Sequence, residues 1–226
     1  DSSGIVEKNK SGYLSYRSYA WQNTYRGGLP KIFLENLDFE KYADFSLNYP
    51  MLFIKREDKY LDAKNKTFKN FIDGDIEKVT PNKEDVADHL STIFTENRLK
   101  KYIEMRGTDG GPWKNLCALP AFWVGLLYDS DAQQAAWDFV KDWTDVERED
   151  MRRRVPVEGL STKFRNTTLQ QLAKQVLLIS TTGLKNRGNL DAAGNDESGF
   201  LDTLRDIADR GKTPAEDLVE AFKTRW

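Results

Sequence analysis

The stretch KKYIEMRGTDGGPWKNLCALPAFWVGLLYD, residues 100–129, decides how this chain is read. Its opening alternates as a strand over 101–106, with Tyr102, Glu104 and Arg106 on one side and Ile103 and Met105 on the other. Two charged side chains at alternate positions of a core-like strand are costly unless they are paired or ligate something. GTDGGP at 107–112 then breaks the chain, and its glycines let backbone approach a ligand closely. The run that follows to Asp129 is almost wholly apolar and predicts a helix over 116–128 that is covered on most sides. A charged strand and a glycine-rich turn leading into a buried helix would form the floor of a polar pocket.

On the N-terminal side the texture is mixed. YLSYRSYAW at 13–21 alternates and is rich in aromatics, which predicts a half-buried strand. PKIFLE at 30–35 and PMLFIKRE at 50–57 read as strands or extended segments, and 59–72 as a strand, a turn and a short helix. Phe39, Tyr42, Ala43 and Leu47 recur at helical spacing behind an Asp38 N-cap. The C-terminal side predicts helices over 83–94, 130–142, 145–154, 165–187, 199–210 and 214–225. Thr144 with Glu147, and Thr213 with Glu216, have capping-box form. Leu169, Leu172, Ala173, Val176 and Leu177 mark one buried helix face, and Gly188 suits its C-cap, ahead of a loop at 188–198. The expected fold class is α+β, with a mixed part over 1–115 and a helical part over 116–226.

Composition narrows the function classes. Lys and Arg number 34 against 36 Asp and Glu in 226 residues, a net charge of −2, which argues against a phosphate-tracking nucleic-acid binder. One Cys excludes an internal disulfide framework and a thiolate-rich metal site, and one His leaves hydrolytic triads little support. Apolar residues at 39% and aromatics at 12% exclude a disordered chain. No apolar run approaches the roughly 18 residues of a membrane span. These features predict a soluble, folded, intracellular-type protein with no nucleic-acid or membrane partner. The start at Asp1 without Met raises the expectation of a processed chain or a piece of a longer one.

Glu104 and Arg106 have two readings. Alternate residues on a strand face lie about 6–7 Å apart, which suits a carboxylate on a hard cation beside a guanidinium on a phosphoryl oxygen. A cross-strand salt bridge fits the same spacing. Arg17 reads as a fork for a substrate carboxylate, as a snorkelling side chain, or as a cation–π partner of Tyr16 or Trp21. Cys117 reads as a small buried hydrophobe or as a redox-sensitive thiol near a helix start. His89 reads as an ordinary partly buried or surface histidine, and Arg152–Arg154 as a solvated helix face.

The segment YIEMRGTDGGPWKNLCALPAFWVGLLYD strongly resembles the signature of the plant-type glutamate–cysteine ligase family of plants and many proteobacteria. GYLSYRSYAWQNT (12–24), DVADHLSTIF (85–94), RLKKYIEMRG (98–107), KDWTDVERE (141–149) and the ESGFL and TPAEDL pieces resemble it collinearly. The resemblance implies ATP-dependent joining of the L-glutamate γ-carboxylate to the L-cysteine amine through a γ-glutamyl phosphate. It implies a glutamine-synthetase-like antiparallel sheet with helices around it, ATP and Mg²⁺, and a cytoplasmic or, in a plant, plastid location. Glu104 then matches a metal ligand, Arg106 a residue on the transferring phosphoryl group, and Arg17 a residue on substrate carboxylate. Cys117 matches a cysteine that pairs with an upstream one as a redox control. Family enzymes are roughly twice this long, so the chain reads as the C-terminal half, partnered by the N-terminal half of the same enzyme, with a homodimer left open. It departs from the family in a shortened segment at 24–29 and in Leu52, where Tyr is common. A non-catalytic binding or regulatory domain, and a ligase using another amine, are the competing readings.

Overall fold

A computed structural model describes residues 4–7, 9–23, 37–63, 65–76 and 78–225. The segments expected at 30–35 and the shortened stretch at 24–29 lie outside the described residues. Among the described residues, helices alternate with two-stranded antiparallel hairpins, an α+β arrangement. The chain divides into two compact units, one of Asp1–Gln22 with Asp109–Trp226 and one of Asn23–Thr108. The division falls inside the GTDGGP turn, and the first 22 residues belong with the helical C-terminal part.

The central unit holds α2 (Phe39–Leu47), β3 (Phe53–Arg56), β4 (Lys59–Asp62), α3 (Phe68–Ile72), α4 (Lys83–Ser91), β5 (Asn97–Leu99) and β6 (Ile103–Met105). Asp38 caps α2 as expected, its side chain accepting the Lys41 N–H at 2.8 Å. Met51, Ile54, Ala63, Phe68 and Phe71 form the core, with Leu47, Leu61, Ile76 and Val79 packed against it. Arg56 of β3 grips Asp85 of α4 bidentately, at 2.6 and 2.9 Å. His89 is buried; its Nε2 lies 2.7 Å from the Ser46 carbonyl and its ring stacks on Phe68. The Tyr42 hydroxyl accepts the Leu99 N–H at 3.0 Å and ties α2 to β5.

The other unit comprises a hairpin of β1 (Ile5–Val6) and β2 (Asn9–Lys10), then α1 (Tyr16–Gln22). After the turn follow α5 (Trp113–Leu116), α6 (Ala118–Leu127), α7 (Ser130–Val140) and α8 (Asp145–Glu158). The hairpin of β7 (Lys163–Phe164) and β8 (Thr167–Thr168), α9 (Leu169–Arg187), α10 (Asp202–Arg210) and α11 (Pro214–Arg225) complete it. α6 and α9 cross closely at glycines: a Cβ at Gly125 or at Gly183 would run into the backbone of the other helix. Ser180 of α9 donates to the Phe122 carbonyl of α6 at 2.9 Å, and Ala121, Leu184 and Leu201 are buried beside the crossing.

Three expectations are corrected. The strand expected over 13–21 is helix α1. Tyr13, Tyr16 and Tyr19 pack on one another at i, i+3 spacing, and Ser15 caps the helix by accepting the Ser18 N–H at 3.1 Å. The helix expected over 116–128 breaks at Cys117, because Pro120 has no N–H for the Leu116 carbonyl and its ring would clash there. The helix expected from 165 begins at Leu169, where Thr168 and Gln171 form a capping box behind a hairpin. Expected caps hold elsewhere: Thr144 with Glu147 opens α8, and Gly188 closes α9 in the left-handed region at φ 66°.

Helix α8 runs four residues past its expected end and through Pro156. A proline inside a helix leaves the carbonyl four residues back without its donor. Here that carbonyl belongs to Arg152, and the Gln22 side-chain amide of α1 donates to it. The Pro156 carbonyl in turn accepts the Leu14 N–H at 2.6 Å and the Ser15 N–H at 3.1 Å. The interruption in α8 is thus the seat on which α1 docks.

Candidate functional site

The central unit presents the first cluster on the β5–β6 hairpin. Its register sets Arg98 opposite Glu104, with Asn97 opposite Met105 and Leu99 opposite Ile103. Directly opposed residues have Cβ atoms about 4.5–5.5 Å apart, within reach of long charged side chains. Arg98 is 6% exposed. Its Nε and Nη2 reach Glu104 Oε2 at 2.8 and 2.7 Å, while Nη1 donates to the Ser91 carbonyl at the end of α4. The second carboxylate oxygen, Oε1, accepts from Arg106 Nη1 at 3.2 Å. Arg106 is further fixed by its backbone N–H, which donates to the Glu96 carbonyl at 2.8 Å, and its guanidinium lies 5.6 Å from the centre of the Phe94 ring. At Gly107 a Cβ would lie 2.8 Å from Glu96 Oε2, the mobile end of a side chain.

Glu104 and Arg106 therefore share a face and touch, with the carboxylate between two guanidiniums. Burial alone would push the Glu104 carboxyl up. The Arg98 hydrogen bonds, together with the charges of Arg98, Arg106 and Lys100, outweigh it and hold the group below its ordinary range. The cross-strand salt bridge is present. The sequence reading missed Arg98 because it saw one strand rather than a hairpin. The signal was an Arg and a Glu six residues apart flanking the short polar stretch Lys100–Tyr102.

The second cluster lies in the other unit. Arg17 of α1 places Nε 3.8 Å from Asp109 Oδ1 and its guanidinium 5.6 Å from the Trp21 ring centre, so the cation–π contact is also present. Ser15 Oγ donates to Asp109 Oδ2 at 3.1 Å, which pins the glycine-rich turn to the start of α1. Asp109 is a second residue that sequence reasoning passed over, because it stood inside a turn read only as a break. Cys117 sits at the α5–α6 junction and is exposed, which overturns the reading of it as a small buried hydrophobe. The helix break that Pro120 imposes removes Cys117 from a helix interior.

These arrangements differ in what they can hold. Mg²⁺ demands about six oxygens in near-octahedral geometry. Among the described residues no three His, Cys, Asp or Glu side chains gather as a metal site, and both oxygens of Glu104 are engaged by guanidiniums. The described residues do not by themselves compose a Mg²⁺ site. Guanidiniums held by carboxylates suit anionic groups instead, carboxylate or phosphoryl, through paired N–H donors. Among the described residues no helix is long and apolar enough to cross a membrane.

The family model described as Glutamate-cysteine ligase family 2(GCS2) matches residues 2–225. The chain is 45% identical over 230 residues to the chloroplastic glutamate–cysteine ligase of Arabidopsis thaliana, covering 99% of this chain and 43% of that protein. It is 44% identical to the chloroplastic glutamate–cysteine ligase A of Oryza sativa subsp. indica, over 99% of this chain and 46% of that protein. The chloroplastic enzyme of Brassica juncea is likewise 44% identical, over 99% and 44%. The chain thus spans less than half the length of these relatives. With a match running from residue 2 to residue 225, the chain belongs to glutamate–cysteine ligase family 2.

Proposed function

We propose that this chain is the C-terminal half of an ATP-dependent ligase. The enzyme joins the γ-carboxylate of L-glutamate to the amine of L-cysteine, the first step of glutathione synthesis. The observation that carries the reading is the family match across nearly the whole chain. The chemistry has a plain physical demand. A carboxylate is a poor electrophile, and phosphorylation by ATP gives it a leaving group that the cysteine amine displaces as inorganic phosphate.

The transferring phosphoryl group carries its charge on three equatorial oxygens, and fixed cationic donors stabilise it without reorganising. In this reading Arg106 supplies such a donor, and the contact at 3.2 Å from Glu104 orients it. Arg17 takes a substrate carboxylate, with Asp109 and Trp21 setting its position. Ligation of Mg²⁺ by Glu104, which the resemblance implies, would compete with the Arg106 contact. We place the hairpins in a larger glutamine-synthetase-like antiparallel sheet whose other strands belong to the part of the ligase that this chain does not span. The relatives are named as chloroplastic, which supports a plastid compartment for the whole enzyme.

The test is to incubate the whole ligase polypeptide with ATP, L-glutamate and L-cysteine and to follow ADP and γ-glutamylcysteine. Equal amounts of both, dependent on L-cysteine, are expected, and residues 1–226 alone should give neither. Preference for another amine, or γ-glutamylcysteine formed by residues 1–226 alone, would overturn the reading.

A further inference from the structure

We propose that Arg98 is a positioning residue for Arg106, acting through Glu104. The proposal rests on the reading that Arg106 faces the transferring phosphoryl group. It adds a residue outside that contact which fixes the donor's geometry.

The chain of contacts runs one way. Arg98 is anchored first: it is buried, and its Nη1 is held by the Ser91 carbonyl at the end of α4. Its other two donors converge on a single oxygen, Oε2 of Glu104, at 2.7 and 2.8 Å. The Nε hydrogen bond and the Nη2 ion-pair contact hold Oε2 in place, and Oε1 reaches across the same face of the strand. There it meets Arg106 Nη1 at 3.2 Å. The backbone at 106 is held independently, through Glu96, so the relay acts on the guanidinium, alongside the Phe94 ring. Arg98 is 6% exposed and its hydrogen bonds run to Glu104 on the opposing strand and to the Ser91 carbonyl, so it is placed behind Arg106 rather than beside it as a phosphate donor. The bidentate Arg56–Asp85 pair uses both oxygens of its carboxylate on one arginine; Glu104 divides its two between Arg98 and Arg106, the residue with the proposed chemistry.

Lysine at 98 keeps the charge but offers a point rather than a fork, so it cannot reproduce the separate contacts to the Ser91 carbonyl and to Glu104 Oε2. A reacting-group misplacement of about 1 Å costs on the order of 100-fold. The experiment uses the whole ligase polypeptide, with rates normalised to folded protein by circular dichroism. Wild type, Arg98→Lys, Arg106→Lys and the double variant are compared with ATP, L-glutamate and L-cysteine. Arg98→Lys is expected to lower kcat by about 10- to 100-fold while KM for ATP changes less than about twofold. In the Arg106→Lys background the same change should have almost no further effect. Equal kcat in wild type and Arg98→Lys, or losses that multiply in the double variant, would overturn the proposal. If Arg98→Lys does not fold, Glu104→Gln takes its place in the same cycle, with the same expected non-additivity and the same overturning result. If Arg106→Lys alone leaves kcat unchanged, the reading of Arg106 fails and this proposal fails with it. If only Arg98→Lys is silent, the Arg106 reading stands and the relay falls.

Discussion

Replacing Gly183 with alanine sets two physical effects of opposite sign against each other. In an exposed helix interior, Gly→Ala stabilises by about 1 kcal/mol, because alanine leaves less backbone freedom to lose on folding. At Gly183 the new methyl would lie 2.8 Å from the Ala132 Cβ and 2.9 Å from the Gly125 carbonyl carbon, with the Gly125 oxygen closer still. Ordinary contact begins at 3.4 Å, so the carbon contacts alone require α6 and α9 to part by roughly 0.5 Å, and the oxygen requires more. The Gly125 atoms are backbone and the Ala132 Cβ of α7 is fixed to its own backbone, so none can swing aside. The Ser180 hydroxyl that bonds the Phe122 carbonyl at 2.9 Å would be stretched in the same movement. Overpacking of this kind costs about 1–3 kcal/mol, and loss of the hydrogen bond about 1 kcal/mol more. After the propensity gain, a net destabilisation of about 1–3 kcal/mol remains. Urea unfolding followed by circular dichroism measures it, with Gly199→Ala as the control, since no atom lies within 4 Å of a Cβ there. A Gly183→Ala protein as stable as wild type would refute the close crossing of α6 and α9.

Asp85 is 2% exposed in its side chain and takes both donors of Arg56, which is 28% exposed. Breaking a fully buried pair costs about 3–5 kcal/mol, and the partial exposure of Arg56 lowers the expectation for Asp85→Asn to about 2–3 kcal/mol; urea unfolding within about 0.5 kcal/mol of wild type would refute the clamp. The Glu147 carboxyl is lowered to about 2 by the Arg165 guanidinium and the Thr144 cap. Its folded value lies below its unfolded one of 4.5, so its stabilisation is full above that value and is lost as pH falls through about 2. NMR titration of the Glu147 carboxyl checks this, and an ordinary carboxylate midpoint would contradict it. Gln22→Ala should cost about 1 kcal/mol in the wild-type chain but little in a Pro156→Ala background, where the replacement alanine supplies the N–H for the Arg152 carbonyl. Equal losses in both backgrounds would show that Gln22 does not substitute for the missing donor.

Local chemistry was legible in the sequence where a few adjacent side chains decide it. The caps at Asp38, Thr144 and Gly188 are such cases, each set by one side chain or one permissive φ. The stretch 13–21 was misread because its aromatics satisfy two periods at once, alternation and the i, i+3 spacing of Tyr13, Tyr16 and Tyr19. The Ser15 cap and the Pro156 seat, 141 residues apart in sequence, decide for the helix. Glu104 and Arg106 could be singled out because alternate charges on an apolar strand demand a partner. The identity of that partner, Arg98, depended on a tight turn that periodicity does not reveal. Asp109 was obscured for a similar reason, since its contacts with Ser15 and Arg17 cross more than 90 residues of sequence.

The most direct test of the account is the turnover of Arg106→Lys in the whole ligase polypeptide with ATP, L-glutamate and L-cysteine. Lysine keeps the positive charge and loses the fork that Glu104 holds. A fall in kcat of about 10- to 100-fold, in a protein that melts at the wild-type temperature, is the predicted result. Unchanged turnover would contradict it.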